Sequence, residues 1–202
     1  MKKLNVGIFG AGRIGQIHAM NLVNNPNIKI KRIVDPFADK LKDFEEKIGI
    51  KLETDPEVIF NDEEIDAVLI CTPTDTHVDY IVKSAEKGKH IFCEKPVSLS
   101  DEESMKAYDA VKKAGVKFQV GVNRRYDRNF AYVKKLIDDG KVGDLELVRV
   151  DSRDPEAPSL DYVKSSGGLF MDMTIHDFDM ARFLTGKEVV EAFIEVRVSP
   201  QR

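Results

Sequence analysis

Leu4-Asn5-Val6-Gly7-Ile8-Phe9-Gly10-Ala11-Gly12-Arg13-Ile14-Gly15 is an apolar run of strand character that passes directly into a glycine-rich turn. Gln16-Ile17-His18-Ala19-Met20-Asn21-Leu22-Val23 follows and continues as a helix. The order is strand, tight turn, helix, and each glycine has its own reason to be there. Gly10 supplies a backbone angle that other residues avoid, Gly12 lets a pyrophosphate approach the main chain, and Gly15 lets the helix pack closely on the strand. Free N–H groups at the helix start then face the phosphates. The GxGxxG spacing also closes ordinary strand–helix turns, so its weight comes from this context.

Ile28-Lys29-Ile30-Lys31-Arg32-Ile33-Val34-Asp35 reads as a second strand ending in an acid. Asp35 lies about 20 residues past the last glycine, where a carboxylate accepts hydrogen bonds from the adenosine ribose hydroxyls. A 2′-phosphate there would meet a like charge, and Pro36-Phe37-Ala38-Asp39-Lys40 offers no arginine to receive it. NAD is therefore favoured over NADP. Asp35 is equally placed to cap a helix beginning near Pro36.

The 202 residues allow one large domain, or one domain plus part of another. Apolar residues at 42% and charged residues at 33% suffice for a buried core. Net charge is −4 with basic and acidic residues interspersed, which leaves no footprint for nucleic acid or an anionic membrane and points to a small-molecule partner. Cys71 and Cys93 follow apolar runs with neither metal nor disulfide spacing, and read as reduced core thiols of a cytoplasmic protein. Lys2 and Lys3 mimic a signal peptide, but the apolar run behind them is short and broken by glycines, and no stretch is long enough to span a membrane.

Further along, residues 36–48 read as helix, and Asp55-Pro56-Glu57 opens a short helix before the buried strand Asp66-Ala67-Val68-Leu69-Ile70-Cys71. Thr72-Pro73-Thr74-Asp75-Thr76-His77 sits at that strand's carboxyl end, where open α/β sheets bind ligands, although Thr74 or Asp75 also suits a helix cap. Helix 77–87 stops at Gly88, and strand His90-Ile91-Phe92-Cys93 delivers Glu94-Lys95-Pro96. Lys95, beside a fixed-φ proline, is placed either for chemistry or for a plain ion pair with Glu94. Helix 101–114 and strand 116–121 complete an alternation that predicts a doubly wound parallel sheet. After helix 128–139 the pattern changes, since Leu145-Glu146-Leu147-Val148-Arg149-Val150-Asp151 and Glu188–Val198 alternate polar with apolar, as strands with one covered face do. A domain change near residue 123 divides the chain into 1–122, a dinucleotide-binding domain, and 123–202, part of an α+β second domain. The proline-rich loop 152–166 is long enough for a substrate loop.

Gly167 to Leu184 reads as a helix on which Asp172, His176 and Asp179 fall at i, i+4 and i+7 and so share a face. His176 there is either a satisfied core histidine or a base whose tautomer is set by the carboxylate one turn earlier. No second histidine or thiolate stands at metal-ligand spacing, so no metal is expected.

Together GAGRIG, Asp35, CTPTDTH, CEKP, NRRYD, SRDP and SGGLFMDMTIHDFDMARFL resemble the glucose-fructose oxidoreductase/inositol dehydrogenase/rhizopine catabolism (Gfo/Idh/MocA) family, and within it the inositol 2-dehydrogenase branch, over the whole length. The resemblance implies hydride transfer between a sugar or polyol carbon and NAD, with myo-inositol oxidised to its 2-keto form. By that resemblance Lys95 orients the reacting hydroxyl and lowers its pKa, His176 takes the hydroxyl proton, and Asp172 is the partner of His176. Gly10, Gly12, Arg13, Ile14, Gly15, Asp35, Thr72, Pro73, Thr74, His77, Glu94 and Lys95 become the cofactor-binding candidates. Asn123, Arg124 and Asp154 join Lys95, Asp172 and His176 as substrate-binding candidates, in a site where the two domains meet. The family also implies homo-oligomers that pair through a large sheet in the second domain, and its members run well over a hundred residues further. Against the enzyme stand a truncated, non-catalytic NAD-binding module and, within the family, a sugar dehydrogenase.

Overall fold

In β1 (Leu4–Phe9) alternate side chains enter two separate apolar layers. Val6 and Ile8 join Ala19, Ile33, Phe44, Ile48 and Leu69 on one side. Phe9 points the other way, into Ile59, Phe60, Val68, Ile70, Val78, Ile81, Ile91, Ala107 and Val111. Both faces of a strand are buried in this way only when helices cover both faces of its sheet. Gly7 shows how tightly they do so, because a Cβ added there would lie 2.7 Å from Ile59 Cγ2.

The computed structural model describes residues 3–153, 158, 163 and 166–195. Among them β1, β2 (Ile28–Val34), β3 (Leu52–Glu53), β4 (Ala67–Ile70), β5 (His90–Cys93) and β6 (Phe118–Val120) form a 6-stranded sheet in the order β3-β2-β1-β4-β5-β6. Every pairing is parallel. The layer that includes Ala19, Phe44 and Ile48 is supplied by α1 (Arg13–Val23) and α2 (Lys42–Ile48). Opposite it lie α3 (Glu57–Phe60), α4 (His77–Glu86) and α5 (Asp101–Ala114). The strand order reverses between β1 and β4, so the loops leaving their carboxyl ends lie side by side, which is where such sheets hold ligands. Beyond β6, a 3-10 turn (Asn123–Tyr126) leads into α6 (Arg128–Asp138), and α7 (Ile175–Thr185) packs against both.

The doubly wound sheet and its helices match the sequence expectation, with four differences. The helix read over 36–48 is a 3-10 turn, Ala38–Lys40, followed by α2 after Leu41. Strand β3 was not anticipated, since a two-residue strand carries no periodicity and owes its place to the edge of β2. The strands expected at 145–151 and from 188 onward are absent among the described residues. A strand exists through its ladder, and the described residues of these alternating segments have none, leaving Leu147 82% and Val190 99% exposed. Residues 196–198 of the second segment, and most of the loop 152–166, lie outside the described residues. Finally, the helix read over 167–184 contains a π-helical stretch, Phe170–Thr174, ahead of α7.

Phe9 is fully buried with its ring 4.7 Å from that of Phe60 and 4.8 Å, edge-on, from that of Tyr80. Phe9→Ala is expected to lower the unfolding free energy by about 3–5 kcal/mol, read from the urea midpoint at unchanged slope.

Candidate active site

The glycine turn is held from both sides. Gly10 has φ +88°, and a Cβ on it would lie 2.6 Å from the Cys71 carbonyl oxygen at the end of β4. A Cβ on Gly15 would come 2.0 Å from the Gly10 carbonyl oxygen, so the first turn of α1 rests on the end of β1. Gly12 differs, for it is exposed and a Cβ there would meet nothing within 4 Å. Gly12 is also the N-cap of α1, with no side-chain cap and no acid in the first turn. Such a helix start, open in front and positive by its dipole, accepts a phosphate. Arg13 and Ile14 stand exposed beside it. The residues present therefore fit a dinucleotide pyrophosphate.

Asp35, 8% exposed, accepts 2.7 Å from the Ala11 N–H and 2.8 Å from the Phe37 N–H. It ties the glycine turn to the end of β2 and closes a tight turn onto Phe37, but the N-caps of the Ala38–Lys40 turn and of α2 are Phe37 and Leu41 without side-chain caps, so the capping role is not realised. Each carboxylate oxygen keeps a second lone pair for a hydroxyl. Thr72, Pro73 and Thr74 lie across the turn, where the Thr76 hydroxyl donates to the Pro73 carbonyl at 2.8 Å and can accept from the Thr72 hydroxyl, 2.7 Å away. His77 is 1% exposed, with Nδ1 2.8 Å from the Pro96 carbonyl and Nε2 2.8 Å from the Thr72 carbonyl. A ring so enclosed joins the loops after β4 and β5 and reaches a ligand only through them.

Glu94 and Lys95 leave the end of β5 toward different partners. Glu94 Oε1 is 2.7 Å from His18 Nε2 on α1. Lys95 Nζ donates to the Asp172 carboxylate at 2.9 Å and to the Asp172 carbonyl at 2.6 Å. The plain Glu94–Lys95 pair is thus replaced by one that crosses to the π-helical stretch. In an α-helix, residues four apart stack on one face. The wider π turn alters that register, and π segments of this kind recur at functional sites.

His176 follows in the first turn of α7, half-buried. Burial first, then the cations of Lys95 and Arg124, hold its imidazole below the usual histidine range, against the opposing charges of Asp177 and Glu94. It is therefore a neutral base at neutral pH. Arg124 donates to the Asp177 carboxylate and, at 3.2 Å, to Ser152 Oγ, whose hydroxyl donates to the same carboxylate at 2.5 Å. Asn123 is exposed at the start of the 3-10 turn, and Asp154 lies outside the described residues. Burial, with Glu94 nearby, pushes the Cys71 thiol up to about 12, which leaves it protonated and inert.

Lys95, Asp172, Arg124 and His176 thus converge on the carboxyl ends of β5 and β6, with the glycine turn and Asp35 beside them on β1 and β2. His18, Ser152 and the two arginine–aspartate pairs were not singled out from sequence. For His18 the only signal was its place one turn beyond the glycines. Among the described residues no cluster of three or more His, Cys, Asp or Glu side chains could hold a metal ion. No described helix is long and apolar enough to cross a membrane.

Residues 4–122 match the Gfo/Idh/MocA oxidoreductase family, NAD-binding Rossmann fold, and residues 130–202 match the Gfo/Idh/MocA C-terminal domain. The chain belongs to this family of NAD-binding oxidoreductases. It is 44% identical over 193 residues to myo-inositol 2-dehydrogenase of Thermotoga maritima, across 95% of this chain and 58% of that protein. With inositol 2-dehydrogenase of Rhizobium meliloti it shares 47% identity over 184 residues, 91% of this chain and 56% of the other. Scyllo-inositol dehydrogenase from Lactobacillus casei, solved with NAD(H) and scyllo-inositol, superposes with a TM-score of 0.83 at 36% identity, over 93% of this chain and 57% of that one. The chain spans just over half the length of these relatives.

Two glycine variants separate the roles in the turn. Gly15→Ala is expected to lower both the melting temperature and NAD affinity, because the Gly10 carbonyl must move. Gly12→Ala meets open space, so melting should stay at the wild-type value in the absence of nucleotide while calorimetric NAD affinity falls at least tenfold, by about 1.4 kcal/mol.

Proposed function

We propose that this chain carries the cofactor site and catalytic residues of an NAD-dependent dehydrogenase that oxidises one hydroxyl of a cyclic polyol to a ketone, with myo-inositol and its 2-keto product as the leading pair. The observation that carries this reading is the convergence of Lys95, Asp172 and His176 beside a turn that fits a pyrophosphate. Relatives named as inositol dehydrogenases supply the substrate class.

Gly10, Gly12, Arg13, Ile14, Gly15 and Asp35 would hold the dinucleotide, with Thr72, Pro73, Thr74 and Glu94 lining the strand ends next to it. Bound there, NAD supplies the hydride acceptor. Lys95 carries a positive charge to the site and donates from Nζ, so it holds a substrate oxygen and favours its deprotonated form. His176 Nδ1 or Nε2 takes the hydroxyl proton, for which a neutral imidazole is required. Asp172 keeps Lys95 in place, and Arg124 and Asn123 are available to polyol hydroxyls. We assign residues 1–122 to nucleotide binding and 123–202 to the substrate side. Two free, buried cysteines suit a reducing cytoplasm.

The test is NADH formation from myo-inositol, scyllo-inositol and glucose at mildly alkaline pH. Lys95→Ala and His176→Ala should each lower kcat by about 10²–10⁴-fold. Wild-type turnover in both variants would sink the assignment, and NAD binding without polyol-dependent turnover would make the chain a nucleotide-binding module. NAD should bind more tightly than NADP.

The pH profile follows from the downward displacement of the His176 pKa. The base form is active, so kcat/KM should fall as pH drops through a value below the ordinary histidine pKa of about 6.5. In His176→Ala that acid limb should disappear.

A further inference from the structure

We infer that Arg125 is a positioning residue, whose bidentate bond to Asp179 sets the direction and roll of α7 and so aims His176 at the substrate beside Lys95. This inference rests on the assignment of His176 as the base.

Arg125 Nε lies 3.0 and 2.8 Å from the two Asp179 carboxylate oxygens, and Nη2 lies 2.5 Å from Oδ1. The guanidinium also sits 5.5 Å over the Phe183 ring, one turn further along α7. Asp179 is largely buried, with 12% side-chain exposure. A planar fork on a carboxylate admits one orientation, unlike an apolar contact, which tolerates sliding and rotation.

Both ends of this link are rigidly based. On the sheet side the Gly121 N–H donates to the Cys93 carbonyl at 2.8 Å, beside the residues that present Glu94 and Lys95. The 3-10 turn closes with the Asp127 N–H on the Arg124 carbonyl at 3.1 Å, and Asp127 caps α6 through the Asn129 N–H at 2.8 Å. Lys95 and Arg125 therefore project from one frame. On the helical side Asp172 and Asp179 stand on either side of His176 in the chain. Lys95–Asp172, Arg124–Asp177 and Arg125–Asp179 together hold the line of the rod, and of the two arginine pairs only Arg125–Asp179 engages both carboxylate oxygens through a fork, which fixes rotation. Residue 179 follows His176 by three positions, so the two are neighbours on the helix surface.

Apolar packing leaves much of this work to the ion pairs, since Met180 and Leu184 are the only buried residues that α7 contributes among those described. A displacement near 1 Å at a reacting group costs about 100-fold in rate. Arg125 should therefore act on kcat while leaving the phosphate turn untouched.

The experiment compares Arg125→Lys and Arg125→Ala with the wild-type chain by three readouts. These are inositol-dependent kcat and KM, calorimetric NAD affinity, and the titration of His176 followed by NMR of its ring protons. Arg125→Lys keeps the charge and loses the fork, and should cut kcat about 100-fold with NAD affinity unchanged. In both variants the His176 titration should move up toward the ordinary histidine value as the ring loses burial and the neighbourhood of Lys95. The exchange Arg125→Asp with Asp179→Arg should recover part of both. A fall in melting temperature with kcat and the His176 titration at wild-type values would overturn the inference and leave Arg125 a structural residue. If Arg125→Ala does not fold, Arg125→Lys decides. If the wild-type chain oxidises no polyol, the proposed function fails, while the His176 titration still decides this one.

Discussion

Lys95 and Asp172 are 77 residues apart, and their contact joins the end of β5 to the helical region beyond it. The ammonium and carboxylate have 16% and 26% side-chain exposure, so both lose hydration when they meet. A pair in that setting gains little net stability unless further hydrogen bonds compensate the lost water. The compensation here is the Asp172 carbonyl, which takes a second Nζ proton at 2.6 Å. The contact is therefore better understood through what it places than through what it stabilises. It brings a cation to the strand ends at the edge of the nucleotide turn, held by groups a substrate oxygen can supplement.

The sheet makes that placement possible. Because β1 and β4 are buried on both faces, their ends cannot shift without disturbing two apolar layers. The glycine turn inherits this rigidity, since Gly10 is wedged against the Cys71 carbonyl and Gly15 against Gly10. His77 and His18 extend the same frame sideways. One spans the loops after β4 and β5, and the other links α1 to Glu94. The cofactor turn and Lys95 thus share one rigid support, and the second part of the chain reaches it through charge pairs.

Much of this was legible in the sequence for a local reason. Leu4–Gly15, Asp101–Ala114 and His90–Cys93 carry their signals within a few residues, as strand alternation, caps and glycine stops, and all three formed where expected. Lys95 and His176 were single residues of ambiguous meaning until the family pattern linked them. What escaped was non-local. Strand β3 depends on the edge of β2. The alternation at 145–151 is a real strand pattern that lacks a ladder partner among the described residues. The π stretch is not encoded by hydrophobic period, and it carries the Asp172 contact with Lys95, which links positions 77 residues apart. Asp35 was read correctly as sitting at the end of β2, but its two bonds to Ala11 and Phe37 depend on how the loops close over it.

His176 sits half-buried among charges of both signs. Two cations and two anions lie near the ring, and each cation is already matched, Lys95 by Asp172 and Arg124 by Asp177. Burial is the largest influence on the imidazole, the Lys95 and Arg124 cations lower its pKa further, and the Asp177 and Glu94 carboxylates oppose them. An imidazole displaced downward in this way is neutral at neutral pH.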